Sequence, residues 1–176
     1  MSATTGLSAA TALSTATVPG PTGVVVGVDG SEPSLSALRW GAFIASVTDT
    51  TLLVVSTWQT TPSFGLISEG SGGLASDIDP DAVLREALDT AVSRALGGSP
   101  PVGLECRVLR GNTTEVLLEL SADARMLVVG SRGHGGFTGL LLGSVSAACT
   151  EHATCPVLVI HGTTPPPPSP MTKAVS

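Results

Sequence analysis

Tyrosine is absent from this 176-residue chain, and three phenylalanines with two tryptophans bring aromatic residues to only 3%. That scarcity speaks against a β-sandwich core built on large rings. The apolar 42% rests on Val, Leu and Ala, which suits buried parallel strands covered by small-faced helices. Charge is also scarce, at 12% of residues, and 8 Lys plus Arg against 14 Asp plus Glu give a net charge of −6. Eight scattered cations make no basic stripe, so neither a nucleic acid nor an anionic membrane surface is an expected partner. The three cysteines, Cys106, Cys149 and Cys155, cannot all pair, and no Cys-x-x-Cys or Cys/His cluster accompanies them. They read as reduced thiols of a cytoplasmic protein. No stretch approaches the roughly 18 unbroken apolar residues of a membrane span. Met1–Thr17 has neither the cations nor the apolar run of a secretory signal, so the expected compartment is the cytoplasm.

Both ends look like tails. Residues 1–22 are a Ser/Thr/Ala-rich segment, and residues 163–176 contain Pro165–Pro168 followed by Ser169 and Pro170. Such a proline run favours polyproline II and cannot join a packed sheet or helix, so both tails are expected to be disordered around one domain at 23–162. Between them, strand-like and helix-like patterns alternate. Val24–Val28 is a valine-rich run of the kind buried on both faces, broken by Asp29-Gly30-Ser31. Ser31 can cap a helix that has Pro33 in its first turn and Leu35, Leu38, Ala42 and Ala45 on one face. Leu52–Thr57 reads as a second strand and Gln59–Ile78 as a long Gly/Ser-rich loop. A helix opens at Asp79-Pro80, carries Leu84, Leu88, Ala91 and Ala95, and closes at Gly97-Gly98. A half-exposed strand at Leu104–Leu109 follows, and Asn112 with Glu115 suggests a capping box for a helix through Val116, Leu117, Leu120 and Ala124. Met126–Val129 is a fourth strand, Ser144–Ala153 a helix and Pro156–Ile160 a fifth strand. Strands joined through helices need right-handed crossovers. The expected fold class is therefore α/β, an open five-stranded parallel sheet with helices on both faces.

The segment with chemical interest is Gly130–Ser144, which leaves a buried strand and enters a helix. Anions bind at such places because unpaired N–H groups and the helix dipole face one point, and glycines let the backbone approach phosphate oxygens closely. The loop has no Gly-Lys-Ser/Thr, so it is not a P-loop. It follows the fourth strand rather than the first, so it is not the dinucleotide fingerprint. Glycine content by itself leaves a plain connection open as the alternative.

The spacing is more specific. Gly130, two residues, Gly133, nine residues, Gly143 and Ser144 together resemble the ATP-binding signature of the universal stress protein family. Val24–Ser31, Leu127–Ser146 and His152–Ile160 resemble the flanking segments of that family, and the likeness runs over roughly Gly23–His161. It departs at Gly111-Asn112-Thr113, where family members often carry a proline, and in the long loop after the second strand. The resemblance implies a Rossmann-like, adenine-nucleotide α-hydrolase-like fold that binds ATP or another adenine nucleotide. It places Gly130, Ser131, Arg132, Gly133, Gly143, Ser144 and Val145 around the triphosphate, mostly through backbone N–H groups. It sets Asp29 beside the ribose, with Mg²⁺ as a further partner of the carboxylate, Val129 against the ribose and Thr57 near adenine. It also implies a homodimer through Pro156–Ile160, whose apolar edge invites pairing. Ser31 reads as a cap, His134 as a loop-tip residue, and His152, Cys149 and Cys155 as structural.

Two functions follow. One is a nucleotide-dependent regulator or sensor in a stress response, which needs no catalytic group. The other is a slow ATP hydrolase or nucleotidyl-transfer enzyme on the same scaffold. A general base must reach the attacking water, and only His134 or Asp29 offers one, so at most weak ATPase activity is expected.

Overall fold

The computed structural model describes residues 23–59, 79–97, 100–101, 103–133 and 141–167. The chain runs β1 (Val24–Gly27), α1 (Glu32–Val47), β2 (Leu52–Trp58), α2 (Pro80–Leu96), β3 (Leu104–Arg110), α3 (Thr113–Ser121), β4 (Met126–Gly130), α4 (Ser144–His152) and β5 (Val157–Ile160). The five strands form one sheet in the order β3-β2-β1-β4-β5, every neighbouring pair parallel. The expected fold class is the observed one. The expected N-terminal tail at 1–22, residues 168–176 of the C-terminal tail expected at 163–176, most of the loop after β2, and His134 lie outside the described residues.

The valine-rich β1 is central because it can be buried on both sides. Val24 and Val26 enter a cluster with Leu35 and Leu38 of α1 and Leu88 and Ala91 of α2. Val25, between them, points to the other face and joins Leu117 of α3 and Cys149 of α4. Two helices therefore cover each face, as the alternation of side chains along a strand requires. Local signals set the helix starts. Ser31 Oγ accepts from Ser34 N, Asp79 from Asp81 N, and Asn112 from Thr114 and Glu115 N. Gly97, at φ 64°, ends α2. Strands β2 and β3 each run one residue past expectation, because Trp58 pairs with Arg110 and the Trp58 carbonyl accepts from Gly111 N.

The cysteines are free thiols used in packing. Burial pushes Cys149 up to about 11, with the Cys155 thiol beside it adding to the shift, and burial also raises Cys106 and Cys155. At neutral pH such groups stay protonated and unreactive. Among the described residues no helix is long and apolar enough to cross a membrane. The described part of the C-terminal segment crosses α1, where the Trp40 indole N–H donates to the Thr164 carbonyl at 2.9 Å.

Candidate functional site

After β1 the chain builds outward through β2 to β3. It then returns to the far side of β1 as β4, so the carboxyl ends of β1 and β4 diverge at a topological switch point. Open α/β sheets hold their ligands in the crevice such a point leaves. Here the crevice is a cavity of about 480 Å³, a size suited to a mononucleotide.

Its first wall is the turn after β1. Asp29 Oδ1 accepts from Ser31 N at 3.0 Å and from Ser31 Oγ at 2.6 Å, while Ser31 Oγ also caps α1. The Asp29 amide faces Ser34 Oγ at 3.4 Å, and that hydroxyl donates to the Ser31 carbonyl. One serine thus starts the helix and orients the carboxylate. The glycine segment runs directly past it, since a Cβ at Gly133 would meet Asp29 Oδ2.

The second wall is the base of the glycine loop. Ser131 N donates to Ile160 O at 2.8 Å, and Gly143 N donates to Ser131 O at 2.7 Å, bringing the two ends of the loop together. Ser146 Oγ donates to the same Ser131 carbonyl at 2.9 Å. The loop ends at Gly143, the N-cap of α4, which supplies no side-chain cap. The first three N–H groups of a helix have no partner within it. In α4 they belong to Ser144, Val145 and Ser146, and all three residues line the cavity. Arg132, exposed, lines it too and adds a cation. The result is an electropositive end of the kind that binds anions.

From there the lining passes Gly27, Val28, Val129 and Gly130 and reaches Val55, Ser56, Thr57, Leu84, Thr113 and Leu117. That far end sets the apolar Val55, Leu84 and Leu117 beside the hydroxyl residues Ser56, Thr57 and Thr113, and Thr57 Oγ1 and Thr113 Oγ1 lie 2.7 Å apart. Of the residues expected from sequence, Asp29, Thr57, Val129, Gly130, Arg132, Gly133, Gly143, Ser144 and Val145 meet on this cavity. Ser131 does not line it; it is buried and its N–H and carbonyl are spent holding the loop. The Gly143 N–H is likewise committed to Ser131, so the free donors begin at Ser144. Sequence reasoning missed Ser34, Leu84, Thr113, Leu117 and Ser146. Val28 and Ser56 had a readable signal, as neighbours in sequence of Asp29 and Thr57. Among the described residues no group of three or more His, Cys, Asp or Glu gathers, and Asp29 is the carboxylate on the lining. A larger, open hollow of about 830 Å³ follows the outer side of α2. Its described walls come only from that helix and its cap, whereas the smaller cavity unites the carboxyl ends of three strands, β1, β2 and β4, with the starts of α1, α3 and α4, and it is the better candidate.

A five-stranded parallel sheet with a glycine loop and an uncapped helix start at its switch point defines a Rossmann-like α/β domain. The chain belongs to the universal stress protein family, whose profile matches residues 22–161. A universal stress protein of Mycobacterium tuberculosis is 34% identical over 152 residues, which cover 79% of this chain and 48% of the relative. One of Mycolicibacterium smegmatis is 33% identical over 150 residues, with 80% and 48% covered. The chain thus spans about half the length of these curated relatives. Among solved structures, a universal stress protein in complex with cAMP superposes with a TM-score of 0.54 at 31% identity, covering 82% of this chain and 99% of that one. A universal stress protein from Lactobacillus plantarum, at 18% identity and a TM-score of 0.55 over 79% and 97% of the two chains, shares the fold.

Proposed function

We propose that this chain is a cytoplasmic, nucleotide-dependent regulator of a stress response that binds ATP, or a related adenine nucleotide, in the switch-point cavity. The observation that carries the reading is the uncapped start of α4 opening into a cavity whose other end carries the apolar side chains of Val55, Leu84 and Leu117. Phosphates belong at Ser144, Val145, Ser146 and Arg132. The ribose belongs at Asp29, whose carboxylate accepts from hydroxyls, and the base between Val28, Val55, Leu84 and Leu117. The relative crystallised with cAMP supports an adenine nucleotide as the ligand class. Asp29 alone is too small a donor set for a cation cage. It fits Mg²⁺ only as an ion that takes its other ligands from phosphate and water, the usual habit of that metal.

Denaturing the purified protein and weighing the released small molecules, beside calorimetric titration with ATP, tests the reading. Binding of ATP by the wild type and weakening of about tenfold in Asp29→Ala, the loss of one or two hydrogen bonds to a charged group, are expected. A wild type that neither carries nor binds an adenine nucleotide ends the proposal. Several turnovers per second with Mg²⁺ would instead favour the hydrolase or nucleotidyl-transfer reading. Among the described residues the lining shows no base other than Asp29, and that carboxylate accepts from Ser31.

The same reading includes a homodimer. Among the described residues strand β5 pairs only with β4, and Val157, Leu158 and Val159 are half-buried in the single chain. An apolar edge of this kind is blunted by pairing with a second copy. Sedimentation equilibrium at micromolar concentration is expected to give twice the chain mass, and Val159→Lys to give the monomer mass. A wild type at monomer mass rules the dimer out.

A further inference from the structure

Helix α2 is anchored unevenly. Its buried residues, Leu88 and Ala91, lie in its second half, where Arg94 also pairs with Glu32 of α1 at 2.7 Å. Among the described residues the first turn has no such seat, and Asp79 through Val83 are all exposed. Yet that turn leads directly into Leu84, the α2 residue on the cavity lining. Among the described residues, Trp58, the last residue of β2, ties it to the sheet. The indole N–H donates to Asp81 Oδ1 at 2.6 Å across 23 residues of chain. The Arg110 guanidinium lies over the indole, 5.4 Å from its centroid, and Trp58 O accepts from Gly111 N, so the ring stands on a fixed strand end. Asp81 is itself oriented by the cap, its amide donating to Asp79 Oδ1 at 3.0 Å. Asp81 and Leu84 are three residues apart and share a helix face, so holding one places the other.

We propose that Trp58 is a positioning residue for the base end of the pocket. By gripping Asp81 it seats Leu84 as the apolar cover over a nucleobase lying beside Thr57. The assignment rests on the nucleotide reading above and adds a division of labour to it. Trp58 governs affinity for the base, and the start of α4 governs affinity for phosphate. The Trp58–Asp81 bond is a charge-assisted hydrogen bond, the stronger kind. Trp58→Phe removes the donor and keeps a ring under Arg110.

The test uses the full chain carrying Trp58→Phe, Asp81→Ala or both. Hydrogen exchange in the ligand-free protein is expected to speed up about tenfold in the first two turns of α2 and to stay unchanged in its second half. Calorimetry is expected to show adenosine and ATP weakened by the same factor, about tenfold, with inorganic triphosphate unaffected. The double variant is expected to add nothing to either single one. Unchanged exchange, or triphosphate weakened as much as adenosine, overturns the assignment, the second outcome by showing a general structural role. A wild type that binds triphosphate but not adenosine also overturns it. One that binds neither adenosine nor ATP defeats the nucleotide reading itself, and the exchange data then decide whether Trp58 holds α2.

Discussion

Replacing Gly143 by Asp is expected to abolish nucleotide binding, raising the dissociation constant for ATP at least about a hundredfold, while the protein remains folded. The fold tolerates the change for two reasons. Gly143 sits at φ −74°, ψ 164°, an extended conformation open to any residue. A Cβ there meets only ordinary van der Waals neighbours, Arg132 Cα at 3.5 Å, Ser131 O at 3.6 Å and Ser146 Oγ at 3.7 Å. Aspartate is also a favoured N-cap, so α4 should lose no stability. The ligand fares differently. The new carboxylate caps the N–H groups at the start of α4 that phosphate would use. It also sets a like charge against phosphate, a repulsion of about 4 kcal/mol for two unit charges about 4 Å apart at an effective dielectric of about 20. Each 1.4 kcal/mol is about tenfold in affinity. Gly143→Ala adds the bulk without the charge and is expected to weaken binding far less. Calorimetry with ATP on both variants, with thermal unfolding to confirm the fold, checks the pair. Retained ATP affinity in Gly143→Asp would mean that the start of α4 is not the phosphate site.

The contrast between what the sequence announces and what it conceals follows the reach of each interaction. The fold was readable because its causes are local. Valines in series mark β1, Ser31, Asp79 and Asn112 cap the helices they precede, and alternation of strand and helix dictates parallel pairing. The glycine loop was readable for the same reason, since Gly130, Gly133, Gly143 and Ser144 belong to one segment. Its internal bonding was not. Nothing in the spacing shows that Ser131 turns inward to bond Ile160 and Gly143, and so leaves the lining. The base end was concealed more deeply. Thr57 meets Thr113 across 56 residues, and Leu84 arrives on a helix whose first turn is held by a tryptophan on another element. Each of these residues has an ordinary local reading, as a strand end, a helix start or a core leucine. Only the packing of α2 and α3 against opposite faces of the sheet brings them to one cavity.

Gly130→Ala, thirteen residues upstream of Gly143, is expected to act on stability first. Gly130 ends β4 where the start of α1 passes against it. A Cβ there would stand 2.8 Å from the Pro33 carbonyl carbon, 2.9 Å from its oxygen and 2.9 Å from Ser34 N. All three are backbone atoms at the beginning of a helix, so no side chain can swing aside. Either α1 or the end of β4 must shift. Both are fixed, β4 by its register with β1 and β5, and α1 by Leu35 and Leu38 buried in the core. Overpacking of this kind costs about 1–3 kcal/mol, and the rigidity of both partners places this case at the upper end. At about 2–4 °C per kcal/mol for a domain of this size, the melting temperature should fall by roughly 6–12 °C. The shift also separates Ser34, which faces the Asp29 amide, from the loop that follows Gly130, so ATP binding should weaken as a consequence of the strain. Denaturant unfolding of Gly130→Ala beside Gly143→Ala gives the comparison. The first should lose about 3 kcal/mol and the second less than about 1. Equal stability of the two would show that β4 and α1 are not in the contact described. The opposite order of effects at Gly130 and Gly143, on stability and on phosphate affinity, separates the glycine that packs the domain from the glycine that opens it to a ligand.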